Sequence, residues 1–516
     1  MKVYCFSPFG YEGSLVSIEV DLRRGIPATD IIGLADSAVR ESRERMKSAI
    51  INSGLEFPCE RVLISLSPAD IKKEGAGFDL AVALAVLCEK NSVQGQDSIL
   101  IMGELELNGK VRPVRSIHAA VSTAHSHGIN YCIVPKENKN EAGSVIGMKV
   151  FGADTLIEAF NALSTGEVFF SPDNDVEYDE NKMDAVVIDS INFPKVESGF
   201  DFKDVKNQGR LVRALQIAAA GGHNLLAFGP PGCGKTLSLQ KFPSLLPLLT
   251  VEQAQTVTRI HSIAGLIPPG KSLIQKRPFR MPHQTATVEG ICGGGPHCLP
   301  GEVSLSHNGT LFLDEASEFR TSVLQMLRVP LECSTITLSR AGRTTIFPAD
   351  FQLLLSTNPC PCGNYGSSEK VCLCSARAVE MYWKKFSGPL LDRIDLRVQV
   401  ETHSLKLGEE EKISRSTDEL RKEIARAIKI QRQRQEKSNA KLMASEINVY
   451  CKMTDEAREY LNHEAERNEL SPRGCTSCIK VCRTISDMKG MEILDLDSMK
   501  EAVSFRKNTG AMEMFK

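Results

Sequence analysis

The chain has 516 residues, room for about three domains of roughly 150 residues each. Its composition is that of an ordinary soluble globular protein, 42% hydrophobic and 24% charged, and no apolar run approaches the roughly 18 residues that would span a bilayer as a helix. A net charge of −2 excludes nucleic-acid binding through the field of the whole chain, so any such contact must come from local basic patches.

The opening MKVYCFSPFGYEGS lacks the apolar core of a signal peptide, so a cytoplasmic location is expected. In that compartment the 16 cysteines are expected to be thiols or metal ligands rather than disulfides. Residues 1–168 alternate short strands and helices. VLISLSP (62–68) alternates with period two, SILIMGELELNGKVRPV (98–114) reads as a hairpin turning at Asn108-Gly109, and YCIVP (131–135) and MKVFGA (148–153) read as further strands. KKEGAGFDL (72–80) is a glycine turn leading into an apolar helix, LAVALAVL (80–87). Residues 169–203 include SPDNDVEYDENKMD, acidic and nearly free of large apolar groups, and are expected to be a linker. A second α/β segment covers 204–400. Residues 401–516 are helical in period, with LRKEIARAIKIQRQRQEK (420–437) as a long amphipathic helix.

NLLAFGPPGCGKTLSLQKF (224–242) carries the strongest motif, an apolar strand running through Gly229, Pro230, Pro231, Gly232, Cys233, Gly234, Lys235 and Thr236 into a helix. Such a loop turns backbone N–H groups towards phosphate oxygens, and the helix N-terminus adds partial positive charge. Lys235 can reach the β and γ phosphates of ATP, and Thr236 can hold Mg²⁺. Cys233 reads as a filler position in the loop. About 80 residues on, GTLFLDEASEF (309–319) ends an apolar strand in Asp314, a second Mg²⁺ holder, and Glu315, which can orient or deprotonate an attacking water.

FQLLLSTNP (351–359) is a third strand with Asn358 at its end, the ligand side of a parallel sheet; Asn358 could bridge water and γ-phosphate, or be a turn residue before proline. SGPLLDRIDL (387–396) sets Arg393 in a polar turn, placed either as a finger for a neighbouring subunit's γ-phosphate or in a salt bridge with a flanking aspartate. Ser471 opens a helix with Arg473 in its first turn. The helix dipole disfavours a cation there, which suggests an anionic partner such as the nucleotide.

Two basic segments lie between these motifs. TITLSRAGRTTIF (335–347) reads as a hairpin with Arg340 and Arg343 at its tip, and RPFRMPHQ (277–284) places Arg277 and Arg280 in a proline-broken loop. All four arginines are candidate DNA phosphate contacts or ordinary solvated cations. NPCPCGNYGSSEKVCLCS (358–375) brings Cys360, Cys362, Cys372 and Cys374 into one loop, a candidate Zn²⁺ site or four reduced thiols.

Taken together these residues resemble the AAA+ ATPases. RPFRMPHQTATVEGICGGG (277–295), PGEVSLSHNGTLFLDEASEF (300–319) and SGPLLDRIDL resemble the magnesium-chelatase-like YifB/ComM family. The resemblance implies an α/β fold class with a P-loop AAA+ αβα sandwich and a C-terminal helical lid, and a ring, expected to be hexameric, with ATP at subunit borders. It also implies Asn358 as sensor 1, Arg393 as a trans finger, and Arg473 as the sensor 2 arginine, with Arg483 on the same helix as the alternative.

The front segment resembles the Lon-type, ribosomal-S5-like α/β domain through KKEGAGFDLAVALAVL, GELELNGKVRPVRSIHAAV and CIVPKEN. Gly77 stands where the Lon serine would be and His118 where its lysine would be. A Ser–Lys dyad needs a hydroxyl and an amine, so a peptidase is not expected. Related proteins are DNA-stimulated helicases that drive branch migration, which implies DNA as partner. The rival expectation is a chelatase-type motor that remodels a protein and does no DNA work.

Overall fold

The period-two stretch forms the strand Arg61–Ser67, with Val62, Ile64 and Leu66 buried on one face. In this computed structural model the described residues are 2–165, 185–401 and 415–506, apart from 35, 72, 74–75, 94–97, 268–272, 341 and 366–369. The front domain is a seven-stranded mixed sheet in the order Thr29–Ile32, Arg61–Ser67, Ser14–Arg23, Lys2–Ser7, Ser98–Ile101, Tyr131–Pro135, Lys149–Ala153. The helix Asp79–Lys90 buries every residue from Asp79 to Cys88, so it forms the middle of the core rather than an amphipathic surface helix.

The hairpin expected over 98–114 is divided. Ser98–Ile101 joins the main sheet, parallel to both neighbours, and only Glu104–Leu105 and Val111–Arg112 pair as a hairpin around Gly109, whose φ is +83°. The helix Ile117–Ser126 follows.

Part of the expected linker is folded. Ala185–Ile188 and Ile191–Pro194 form an antiparallel hairpin, and Ile191, Phe193 and Phe202 lie in the core of the second domain. Arg421, itself buried, donates to the Pro194 carbonyl at 2.8 Å with its guanidinium over the Phe193 ring. The acidic stretch 171–184 lies outside the described residues.

The second domain is built on a five-stranded parallel sheet ordered Phe279–Arg280, Thr310–Leu313, Gln352–Thr357, Leu225–Phe228, Leu396–Gln399. The pleat divides its strands between two cores. Leu225, Ala227, Phe312, Leu354, Leu396 and Val398 face the C-terminal helices; Leu226, Phe228, Leu311, Leu313, Leu353 and Leu355 face the opposite layer around Trp383. The C-terminal helices are Thr417–Gln435, Ala444–Tyr450, Asp455–Arg467, Pro472–Lys489 and Leu496–Ser504. The first starts with a capping box, Ser416 with Glu419. No helix among the described residues is long and apolar enough to cross a membrane.

The two domains are joined by side chains. On the helix Val251–Ile263, Arg259 donates to the Tyr11 carbonyl at 3.1 Å and to Thr123 at 3.0 Å, and Ser262 donates to Glu141 at 2.6 Å.

Candidate nucleotide site

The loop Gly229–Gly234 leaves the strand Leu225–Phe228 and feeds the helix Lys235–Gln240. Gly232 and Gly234 sit at φ of +80° and +82°, a conformation that a side chain would strain. Lys235 is buried, and its Nζ donates to the Gly229 and Pro230 carbonyls at 2.7 and 2.8 Å. Burial lowers its pKa below the usual lysine value. A buried ammonium held by two carbonyls and a thiol suits an incoming polyanion, since phosphate would supply the missing counter-charge. Cys233 is buried 3.6 Å from the Lys235 Nζ and leaves the loop's mouth to backbone and lysine.

The neighbouring strand ends deliver the acids and the asparagine. Register pairs Phe228 with Thr357 and Leu313 with Leu355, so the P-loop, Asp314, Glu315 and Asn358 emerge at one edge of the sheet. Thr236 donates to Asp314 at 3.1 Å. This hydroxyl–carboxylate pair is an oxygen donor set of the hard kind that Mg²⁺ takes, and it fits that ion. Asp314 also accepts from the Ser356 hydroxyl and from the Glu315 amide at 3.1 Å. Ser356 was not singled out from the sequence. Its signal is positional, because extending the Leu313–Leu355 register by one step sets Ser356 opposite Asp314.

Glu315 is exposed at φ +49°, ψ +49°, the left-handed region that costs a non-glycine residue on the order of 1 kcal/mol. Asn358 has its carbonyl held by the Tyr382 hydroxyl at 3.0 Å. The same hydroxyl lies 2.8 Å from Thr357.

Arg393 and Arg473 occupy the other edge. Leu225 pairs with Leu396 and Phe228 with Gln399, so Arg393 precedes its strand where the P-loop follows the adjacent one. A strand of this length separates its ends by about 10 Å at roughly 3.3 Å per residue. Arg393 pairs with Glu332 and donates to the Pro389 carbonyl at 2.7 Å. Its Nε is buried and has no hydrogen-bond partner among the described residues. The expected alternative, a pair with a flanking aspartate, is replaced by Glu332.

Arg473, expected beside an anionic partner such as the nucleotide, is 3.9 Å from the same Glu332 carboxylate. Both arginines line an open pocket of about 420 Å³ with Asp392, Lys441 and Lys480. The helix starting at Pro472 is anchored to this edge by Ser477, which donates to Asp395 at 2.6 Å, so Arg473 follows Arg393 rather than the P-loop. Arg483 is not a free alternative. It is 1% exposed and is held by Asp487 and the Met491 and Glu492 carbonyls.

The basic candidates separate into two kinds. Arg277 is engaged by the Pro247 and Asn308 carbonyls at 3.0 and 2.7 Å and by Gln253, and burial lowers its pKa to about 10. Arg280 forms a two-pronged pair with Glu302 at 2.6 and 2.8 Å. Arg277 is committed to carbonyls and Gln253 and Arg280 to Glu302, so of the four candidates Arg340 is the exposed one. The strands Thr335–Arg340 and Arg343–Pro348 do form the expected hairpin, although residue 341 at its tip is outside the described residues. Arg340 is exposed, whereas Arg343 lies 3.5 Å over the ring of Phe9 in the front domain. Thr345 on the same hairpin accepts the Tyr11 amide at 2.9 Å.

The sulfur atoms of Cys360, Cys362, Cys372 and Cys374 lie within 4.8 Å of one another. In the front domain the Gly77 carbonyl accepts the Gly103 amide at 3.1 Å. The nearby carboxylate, Asp79, is occupied by Ser42, Arg45 and the Leu105 amide. His118 is 1% exposed, neither ring nitrogen has a hydrogen-bond partner among the described residues, and burial lowers its pKa to about 3. A neutral imidazole in an apolar site is a packing group.

Comparison finds relatives along nearly the whole chain. Profiles described as magnesium chelatase subunit ChlI match residues 201–407 and 18–138, and one for the ChlI C-terminal part matches 414–506. A protein named YifB from Escherichia coli K12 is 35% identical over 507 residues, 98% of this chain and 96% of its own. The competence protein ComM of Haemophilus influenzae is 34% identical over 513 residues, 98% and 97% of the two chains. A Lon protease of Solibacter usitatus is 29% identical over 138 residues, 25% of this chain and 17% of its own.

Proposed function

This chain belongs to the YifB/ComM-type magnesium-chelatase-like family of AAA+ proteins, which implies ATPase chemistry with ATP and Mg²⁺, and on that premise we propose that it is a ring motor that hydrolyses ATP between neighbouring copies and works on DNA. The observation that carries the proposal is the division of the site between two edges of one sheet. Gly229–Thr236, Asp314, Glu315 and Asn358 stand at one edge, and Arg393 and Arg473 at the other. In this reading a head-to-tail neighbour closes the site, and repeated head-to-tail contacts close into a ring, here proposed to be a hexamer.

In this reading Lys235 draws the β and γ phosphates into the loop. Thr236 and Asp314 would hold Mg²⁺, which neutralises developing charge on the phosphates. Asp314, fixed by Ser356 and the Glu315 amide, presents its remaining lone pairs to the site. Glu315 accepts the proton of the attacking water, and Asn358 orients that water. Arg393 and Arg473 arrive from the neighbour, where a planar guanidinium stabilises the charge on the transferring phosphoryl group.

The DNA assignment draws on the competence role in the ComM name and on the exposed Arg340 of the hairpin. With Arg277 and Arg280 engaged within the chain, the proposed contact centres on that hairpin. The front domain, lacking a nucleophile at Gly77, is proposed to brace the hairpin through Phe9 and Tyr11. ATP turnover measured with and without a four-way junction tests the assignment. Stimulation by DNA supports it; no response to single-stranded, duplex, forked or junction DNA at low salt transfers the motor to a protein partner.

A further inference from the structure

We propose that Cys360, Cys362, Cys372 and Cys374 bind one structural Zn²⁺ ion, and that the knuckle so formed is the buttress that sets Asn358 and Pro231 of the nucleotide site. Three measured sulfur separations, Cys360–Cys362, Cys362–Cys372 and Cys360–Cys372, are 3.4, 3.6 and 3.7 Å. A tetrahedron with Zn–S bonds of about 2.3 Å has edges of about 3.8 Å. All four thiols are unbridged.

Hydrophobic packing accounts for only part of this segment, since Cys360 lies in the core and Tyr365, Cys372 and Cys374 pack against it. Val371 and Leu373 are 81% and 90% exposed, while Cys372 and Cys374, which alternate with them, turn inward to the other sulfurs. Apolar chains directed to water around four converging thiols match a loop ordered by a metal ion, since such sites supply folding free energy directly.

The coupling to the nucleotide site is local. Gly363, between the two pairs of cysteines, is buried at φ +77°; a Cβ there would lie 2.9 Å from Pro231 and 3.9 Å from the Asn358 side chain. At the far end, Ser375 follows Cys374 directly and caps the helix Ala376–Lys384. From that helix Tyr382 holds the Asn358 carbonyl at 3.0 Å, and Trp383 Nε1 donates to the Pro359 carbonyl at 3.1 Å. One ion would thus tie the strand end that carries Asn358, the P-loop and this helix into a unit. The coupling half of the proposal rests on the ATP site described above; the zinc half does not.

The test uses the full chain purified in reducing buffer without added metal or chelator. Elemental analysis is expected to give about one zinc per chain, falling to near zero in Cys372→Ser/Cys374→Ser. Cobalt uptake by metal-stripped protein is expected to give the thiolate charge-transfer absorption of a tetrahedral site. The affinity of a fluorescent ATP analogue is expected to drop about tenfold in the double variant, the scale of lost support around a site. Cys362→His, which keeps a fourth ligand, is expected to retain both zinc and affinity and so separates metal loss from a folding defect. Absence of zinc and of cobalt uptake overturns the site. Cysteines found as disulfides in fresh protein overturn it also. A zinc-free, folded double variant with wild-type nucleotide affinity overturns the buttress. Failure of the wild type to bind the nucleotide analogue at all would count against the ATP site, and the zinc measurement would still stand.

Discussion

Arg473 lies beside Arg393, and both reach the single carboxylate of Glu332 at the sheet edge opposite the phosphate loop. Arg393 and then Arg473 hold Glu332 below the usual carboxylate pKa, so it stays charged between them. Two guanidinium groups around one anion form a preassembled receptor for a more highly charged one. Arg393→Ala and Arg473→Ala are each expected to lower ATP turnover by about 10³-fold, the scale of an arginine finger, with nucleotide binding by the same chain little changed. Filter binding and steady-state hydrolysis on each variant check this; lost binding with a proportionate loss of turnover would place the arginines in their own chain's site.

Glu315, the proposed base, has a left-handed backbone. Glu315→Gln is expected to lower turnover by 10²-fold or more at an order-of-magnitude level, while ATP still binds. Glu315→Gly and Glu315→Ala are both expected to be inactive, but glycine relieves the backbone conformation and alanine does not. Glycine should therefore be the more stable of the two by about 1 kcal/mol in denaturant unfolding. Equal stability would show that the conformation costs nothing.

The hairpin arginines are expected to behave differently. Arg343→Ala and Phe9→Ala should each destabilise the chain, with a coupling of about 1 kcal/mol in a double-mutant cycle. Arg340→Ala should leave stability unchanged and weaken DNA binding evenly across sequences, lowering the slope of log affinity against log salt by about 1. A stability loss for Arg340→Ala with an unchanged salt slope would make it a structural residue.

His118 makes stability depend on pH. Its folded pKa is lowered to about 3 by burial, against an unfolded value near 6.5. Below about 6.5 the unfolded chain takes up a proton that the folded chain refuses, so stability falls as pH drops from 6.5 towards 3, by up to roughly 1.4 kcal/mol per pH unit. His118→Leu should flatten this dependence. Thermal melts of both proteins at pH 7.5 and 5.5 check it, with identical pH shifts as the contrary result.

Much of the site was legible because its signals are local. The glycines around Lys235, the strand ending in Asp314-Glu315 and the strand ending in Asn358 each place a residue relative to its own backbone, and parallel pairing does the rest. The surroundings of Arg473 and Arg277 were not legible because they are set by tertiary contacts. The helix Pro472–Lys489 is docked by Ser477 on Asp395, 82 positions away, and Arg277 is captured by carbonyls about 30 positions away on either side. The linker reading ran too far because the acidic composition of 171–184 obscured the short apolar strands after it. The tip-to-front-domain stack of Arg343 on Phe9 spans more than three hundred residues and has no local signature.

The central claim is that each ATP is hydrolysed by two chains. Mixing Lys235→Ala, which keeps its arginines, with Arg393→Ala/Arg473→Ala, which keeps its P-loop, tests it most directly. Each variant alone should be nearly silent. The account expects the mixture to recover hydrolysis well above the sum of its parts, rising with the share of Lys235→Ala subunits and then falling; a mixture as silent as both parents at every ratio would contradict it.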